Sequence, residues 1–155
     1  MNIFLTQYSS LNMSRISIEL PSLYLFETVL EIRVGDLNYG MHLGNDAVLA
    51  LVHEARIRFL ETLGYTEFNI EGLGFLQIDA ALQYKAQGKW GQKVKFQVAL
   101  QASGSVGCDF FFLLTDLQTG KEMARVKTGM VFFDYAKQKI ARMPALFAEK
   151  ALPKP

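Results

Sequence analysis

The sequence predicts an α+β domain in which an antiparallel sheet curls around one long buried helix. Three observations predict it. One segment reads strongly as helix and is apolar on every side over its first half. Five segments carry apolar residues with period two, and the last four are joined by short glycine-marked turns. Tight turns make neighbouring strands antiparallel. A helix without a polar face must be covered on most sides, and a curled sheet covers it most economically. At 155 residues, with 50% of them hydrophobic, the chain suits one domain with a substantial core.

The elements follow in order. Alternation begins at Phe26, with Phe26, Thr28, Leu30, Ile32 and Val34 on one side and Glu27, Glu31 and Arg33 on the other. Gly35 to Gly40 reads as a loop, because Asp, Asn and Gly favour turns. The helix runs from about Asp46 to Leu63, with Asn45 or Asp46 as N-cap and Gly64 as the left-handed residue at its end. Ala47 to Val52 has no polar face, whereas Glu54, Arg56, Arg58 and Glu61 make the second half amphipathic. A strand follows in which Leu76, Ile78, Ala80, Leu82 and Tyr84 alternate with Gln77, Asp79, Gln83 and Lys85. Beyond the turn at Gly88–Gly91, Val94, Phe96, Val98 and Leu100 alternate with lysine and glutamine. Strands at Val106–Thr115 and Met123–Asp134 come next, then a short closing helix at Pro144–Lys150. The resulting division is residues 1–22 as a partly disordered extension, 23–150 as the domain and 151–155 as a tail. Met13 offers an alternative start, which would leave residues 1–12 as an unstructured leader.

Composition narrows the function. The net charge is +1, from 16 basic and 15 acidic residues with no long block of either sign, so no nucleic-acid partner is expected. No stretch approaches ~18 uncharged apolar residues, so no membrane insertion is expected. The start of the chain also lacks the basic residues and apolar run of a signal peptide. Cys108 is the single cysteine. That fits a reducing, cytoplasmic setting. It lies in the strand-like run Gly107–Phe112 with no helix start to lower its pKa, so it reads as a buried core residue.

The loop Arg33-Val-Gly-Asp36-Leu-Asn38-Tyr-Gly-Met-His42-Leu-Gly-Asn45, followed by His53-Glu54-Ala55-Arg56, resembles the hot-dog thioesterases. It resembles in particular the 4-hydroxybenzoyl-CoA thioesterase-like branch with YbgC-type enzymes. That branch carries a loop similar to R-x-x-D-x-D-x-x-G-H-V-N-N before its central helix, then E-x-R or E-A-R within it. Ile78 to Val94 is similar to the family's strand-turn-strand, and the likeness covers roughly residues 26 to 147. The resemblance implies a hot-dog fold, acyl-CoA hydrolysis, no cofactor beyond the coenzyme A of the substrate, and dimers or tetramers with sites between subunits. One departure stands out. The family's second loop Asp, its nucleophile or base, falls on Asn38, and an amide is neither.

Thioester hydrolysis needs a polarised carbonyl, an aimed water and a proton acceptor. A helix N-terminus offers unpaired N–H groups and partial positive charge. The expected oxyanion site is formed by amides from Gly40 to His42, with Tyr39, Met41 and Asn45 beside the substrate. Imidazole titrates near neutrality, and His42 matches the family's histidine, so it is the first choice of base. Asp36 would orient His42 or hold the loop. Glu54 would face the cleft or pair with Arg58 at i+4. Asn38 would position water or the carbonyl. Lys89 would meet CoA phosphates and Trp90 would stack on adenine, although lysines on a hairpin are commonly just solvated. His53 reads as packed or solvated, and Asp46 as an N-cap. No metal site is read.

Two other functions compete. A non-catalytic module binding acyl-CoA or acyl carrier protein fits the Asn38 departure. A hot-dog dehydratase would need a Pro- and Gly-rich loop after its histidine, and no proline lies between Pro21 and Pro144.

Overall fold

The computed structural model describes residues 15–154. The elements are β1 (Phe26–Glu31), α1 (Asn45–Thr62), β2 (Gly74–Tyr84), β3 (Lys93–Ser103), β4 (Gly107–Asp116), β5 (Glu122–Asp134), β6 (Lys139–Ile140) and α2 (Ala145–Ala151). The sheet order is β1-β3-β4-β5-β2, with β6 added at one end of β5, and every pairing is antiparallel. β1 and β2 are therefore the two edges. The five long strands and both helices stand where period and turn signals put them. The two-residue β6 is too short to leave a period in the sequence.

The core lies between α1 and the concave face of the sheet. Val94, Phe96, Val98 and Leu100 of β3 are all buried, as are Phe110, Phe112 and Leu114 of β4. They pack with Val48, Leu51, Val52, Ala55, Phe59 and Leu60 of α1. At one end an aromatic cluster closes the core. Phe75 and Phe132 have ring centroids 4.8 Å apart, and Phe147 of α2 stands edge-on to Phe132 at 5.1 Å. Cys108 is fully buried, and burial first, then the charge of Asp109, pushes its thiol up to about 12.

Several local expectations change. Val34 is exposed, because the chain leaves the β1 direction in a 3-10 turn at Val34–Asp36. In β2 the alternation breaks at a register shift between Gln77 and Asp79, and Leu76 and Ile78 face solvent. The helix cap is Gly44, with no side-chain cap, in place of Asn45 or Asp46. Gly44 N–H instead donates to Asp36 O at 2.9 Å. The apolar first half of α1 is not enclosed on every side, since Leu49 is half-buried and Ala50 exposed. The domain also begins earlier than residue 23. Ile18 is buried, its N–H meets Gln83 Oε1 at 3.5 Å, and Arg125 donates to its carbonyl at 3.1 Å. Helix α2 ends at Ala151, one residue into the expected tail. The leader expected over residues 1–12 and the start at Met13 lie outside the described residues.

Candidate active site at the start of the central helix

A cleft of about 530 Å³ opens where α1 begins. Its polar wall carries Asn38, Gly40, His42 and Asn45 from the loop and helix start, and Tyr84, Lys85 and Gln87 from the end of β2 and the turn beyond. Its depth is apolar, formed by Val48, Val94, Leu114, Met123 and Ala124. The sequence-predicted residues Asn38, Gly40, His42 and Asn45 are thus brought together.

The loop is a hydrogen-bonded structure in its own right. Asn38 Oδ1 accepts from Gly40 N–H at 2.9 Å and His42 N–H at 3.2 Å, while Asn38 N–H donates to His42 O at 2.7 Å. Met41 adopts φ 61°, an uncommon conformation for a non-glycine residue, held by its N–H donating to Asn38 O at 3.0 Å. Leu43 N–H then donates to Gly88 O at 2.8 Å, joining the loop to the β2–β3 connection. The approach is close at Gly88, where a Cβ would stand 2.6 Å from Ile32 Cδ1 and 3.0 Å from Leu43 Cβ and would oblige these side chains to shift.

The amides expected to form the oxyanion site are engaged within the loop. The amides of Gly40 and His42 point at the carboxamide oxygen of Asn38. At the helix start beside the cleft, the first N–H groups have no intrahelical acceptor and the Gly44 cap has no side chain. Tyr84 OH donates to Asn45 O at 3.1 Å and ties the end of β2 to this point. Burial first, then the charge of Asp46, raises the Tyr84 pKa, so the phenol stays a donor.

Other predicted residues stand elsewhere. Asp36 is buried and taken up by Arg33, whose backbone N–H lies 2.7 Å and Nε 3.1 Å from Oδ2, with NH2 3.0 Å from Oδ1. The Arg33 side chain, outweighing the opposing effect of burial, holds this carboxyl below its usual range. Asp36 holds the loop and does not reach His42's ring by any hydrogen bond among the described residues. Glu54 lies outside the cleft, 2.6 Å from Arg58, which also donates to Thr28 on β1. Tyr39 and Met41 are exposed and do not line the cleft. Lys89 and Trp90 line a shallow neighbouring groove that shares Gln87 with it. Tyr84 and Gln87 escaped the sequence reading, because only the fold shows that the end of β2 abuts the start of α1. Among the described residues no group of His, Cys, Asp and Glu is arranged to hold a metal, and no helix is long and apolar enough to cross a membrane.

A second cleft of about 460 Å³ lies between α1 and the Phe75–Gln77 end of β2. His53 Nε2 and Glu67 Oε2 are 2.7 Å apart there. Arg56 is buried, its Nε donates to Glu67 Oε1 at 2.7 Å, and its NH1 donates to Gln77 Oε1 at 3.2 Å. Burial alone would push the Glu67 carboxyl up, but hydrogen bonds from Arg56 and His53 more than offset this and hold it low. Glu67 therefore stays ionised.

A model of the thioesterase-like superfamily matches residues 32–151. The chain belongs to this superfamily. Solved structures share its architecture, and this thioesterase-like chain has the hot-dog fold. The 1,4-dihydroxy-2-naphthoyl-CoA thioesterase of Synechocystis superposes with TM-score 0.75 at 15% identity, covering 81% of this chain and 93% of that one. The YbaW probable thioesterase of Escherichia coli gives TM-score 0.70 at 19% identity, over 80% and 94%. The 12:0-ACP thioesterase of Umbellularia californica gives TM-score 0.70 at 19% identity, over 81% of this chain and 51% of that one. No curated protein matches the sequence. At such identities the structural likeness establishes the fold, and the superfamily match supports thioesterase function at the level of reaction class.

Proposed function

We propose that this protein hydrolyses an acyl-CoA to the free acid and CoA in the cleft at the start of α1. The observation that carries this reading is the meeting of an uncapped helix start, His42 and an apolar depth in one cavity. The acyl chain would lie along Val48, Val94 and Leu114, with its carbonyl oxygen toward the N–H groups at Asn45. Those donors would steady the oxyanion formed when water attacks. His42 would hold the attacking water and is the protomer's own candidate for its proton. Asn38 acts through the loop, fixing His42 by its backbone. Lys85 on the wall and Lys89 in the adjoining groove would face the nucleotide phosphates, with Trp90 available to the adenine. A homodimer joined at the open edge of β2, or a tetramer built from two, completes the reading. The open edge and the exposed Leu76 and Ile78 support it.

The competing reading is a module that binds acyl-CoA or acyl carrier protein without turnover. Asn38 Oδ1, filling the amide pair of Gly40 and His42, favours it. Release of free thiol from a panel of acyl-CoAs decides between them. Turnover supports hydrolysis, whereas tight binding without thiol release supports the module.

A further inference from the structure

We infer that the end of the sheet around the cleft mouth is a docking face for an anionic lipid surface, on which the protein rests without inserting a span. The inference goes beyond acyl-CoA hydrolysis and does not depend on it.

Three connections meet at this end of the sheet. They are the loop before α1, the turn that joins β2 to β3 and the turn that joins β4 to β5. Each carries a large apolar side chain in the open. Tyr39 is fully exposed, and Met41, Trp90 and Leu117 keep 67%, 69% and 47% of their surface. One exposed apolar residue needs no explanation, but four on three adjoining connections form a set. Hydrogen bonds tie the connections together. Leu43 N–H donates to Gly88 O, Gly91 N–H donates to Ile32 O at 2.9 Å, and Leu117 N–H donates to Lys93 O at 2.9 Å. Two shallow grooves run between them and share Gly91, Gln92, Asp116 and Gln118, and the one beside Trp90 also shares Gln87 with the cleft. The cleft mouth and the four side chains therefore belong to one continuous surface.

The charges on this surface favour an anion. Lys85, Lys89, Lys93 and Lys121 are all exposed, and none forms an ion pair among the described residues. The carboxylates at this end are largely engaged. Asp36 is held by Arg33, Glu122 lies 2.6 Å from Arg125, and Asp116 accepts from the Gln92 side chain and from Thr119 N–H at 2.6 Å. Asp46 and Glu31, which faces Lys93 in the β1–β3 register, are left to oppose four lysines.

A bilayer surface fits this pattern better than a protein does. A protein interface needs a continuous apolar centre closed against its partner, whereas these apolar groups stand apart with polar grooves between them. A lipid interface takes up separate side chains one by one, suits the half-polar rings of Trp and Tyr, and attracts lysines when its headgroups are anionic. None of the four apolar residues belongs to β2, the edge assigned to the dimer.

The test uses the full-length protein, with Trp90, its single tryptophan, as reporter. Vesicles of phosphatidylcholine mixed with phosphatidylglycerol should co-sediment the protein at low salt and shift Trp90 emission to the blue. Vesicles of phosphatidylcholine alone should do neither, and raised salt should weaken the binding. Tyr39→Ser combined with Leu117→Ser removes apolar groups that do not line the cleft and should lower vesicle partitioning about tenfold. Lys121→Glu should lower it severalfold. Both variants should keep the wild-type circular dichroism. Failure to co-sediment with anionic vesicles, sedimentation without a Trp90 shift, equal binding to neutral vesicles, or unchanged partitioning in either variant overturns the inference. A Trp90 shift produced by an acidic carrier protein and by no vesicle also overturns it, and would assign the face to a protein partner. Thiol release takes no part in these readouts, so its absence would sink the hydrolase reading alone.

Discussion

At the scale of single residues, the loop before α1 is held together by hydrogen bonds among its own members. His42 stands on the cleft wall with its backbone fixed by Asn38. Replacing it by Ala should lower kcat for acyl-CoA hydrolysis by about a hundredfold, whether it carries the proton or aligns the water. Steady-state assays with a saturating acyl-CoA measure this. Asp36 makes a stability prediction with a definite sign. Its folded-state pKa is depressed by Arg33, so its contribution is fully present above the unfolded value of about 3.9 and disappears as pH falls through the lower folded value. Urea midpoints for wild type and Asp36→Asn should therefore differ at pH 7 and converge toward pH 2. A gap that persists at pH 2 would assign the effect to packing instead. The sequence showed Asp36, Asn38, Gly40 and His42 as one loop. It could not show that Arg33 takes the Asp36 carboxylate, because that depends on a 3-10 turn whose three residues leave no periodic trace.

At the scale of elements, β3 was legible because Val94, Phe96, Val98 and Leu100 alternate and are all buried, whereas β5, with Thr128 to Phe132 buried without a break, was placed by its flanking turns. β2 was legible as a strand but not in its facing. An edge strand has neighbours on one side only, so the shift at Gln77–Asp79 can turn Leu76 and Ile78 outward without exposing the core. The closing helix α2 was placed by Pro144, but its importance was not visible. Phe147, fully buried among Tyr65, Phe75 and Phe132, makes this short helix part of the core. Phe147→Ala should cost about 3–5 kcal/mol. Thermal or urea unfolding checks it, and a loss below about 1 kcal/mol would mean that α2 docks independently of the ring. The start of α1 was foreseen to within one residue, yet the glycine cap was missed because Asn45 and Asp46 are both better capping residues in isolation.

At the scale of the whole molecule, the α+β architecture followed from one long apolar helix and four turn-linked strands, and only assembly lay beyond sequence. Periodicity specifies which faces are buried, not by which copy of the chain. The open edge of β2 predicts that light scattering or sedimentation at micromolar concentration should give the mass of a dimer or a tetramer. A charged residue at Ile78 should shift that mass toward the monomer. Cys108 reports on the integrity of the fold as a whole. A thiol pushed up to about 12 by burial should resist an aromatic disulfide reagent at pH 8 and react only upon unfolding. Rapid labelling of the native protein would contradict the buried placement.

The web of Arg33, Asp36 and Asn38 around the loop carries a thermodynamic consequence. The conformational entropy of this segment is surrendered when the chain folds, before any ligand arrives. If the proposed reading holds, an incoming thioester meets a loop already hydrogen-bonded into place, so association should proceed with little induced fit. Loosening the web by Arg33→Ala would transfer that ordering to the encounter itself, weakening affinity through a more unfavourable binding entropy although Arg33 does not line the cavity.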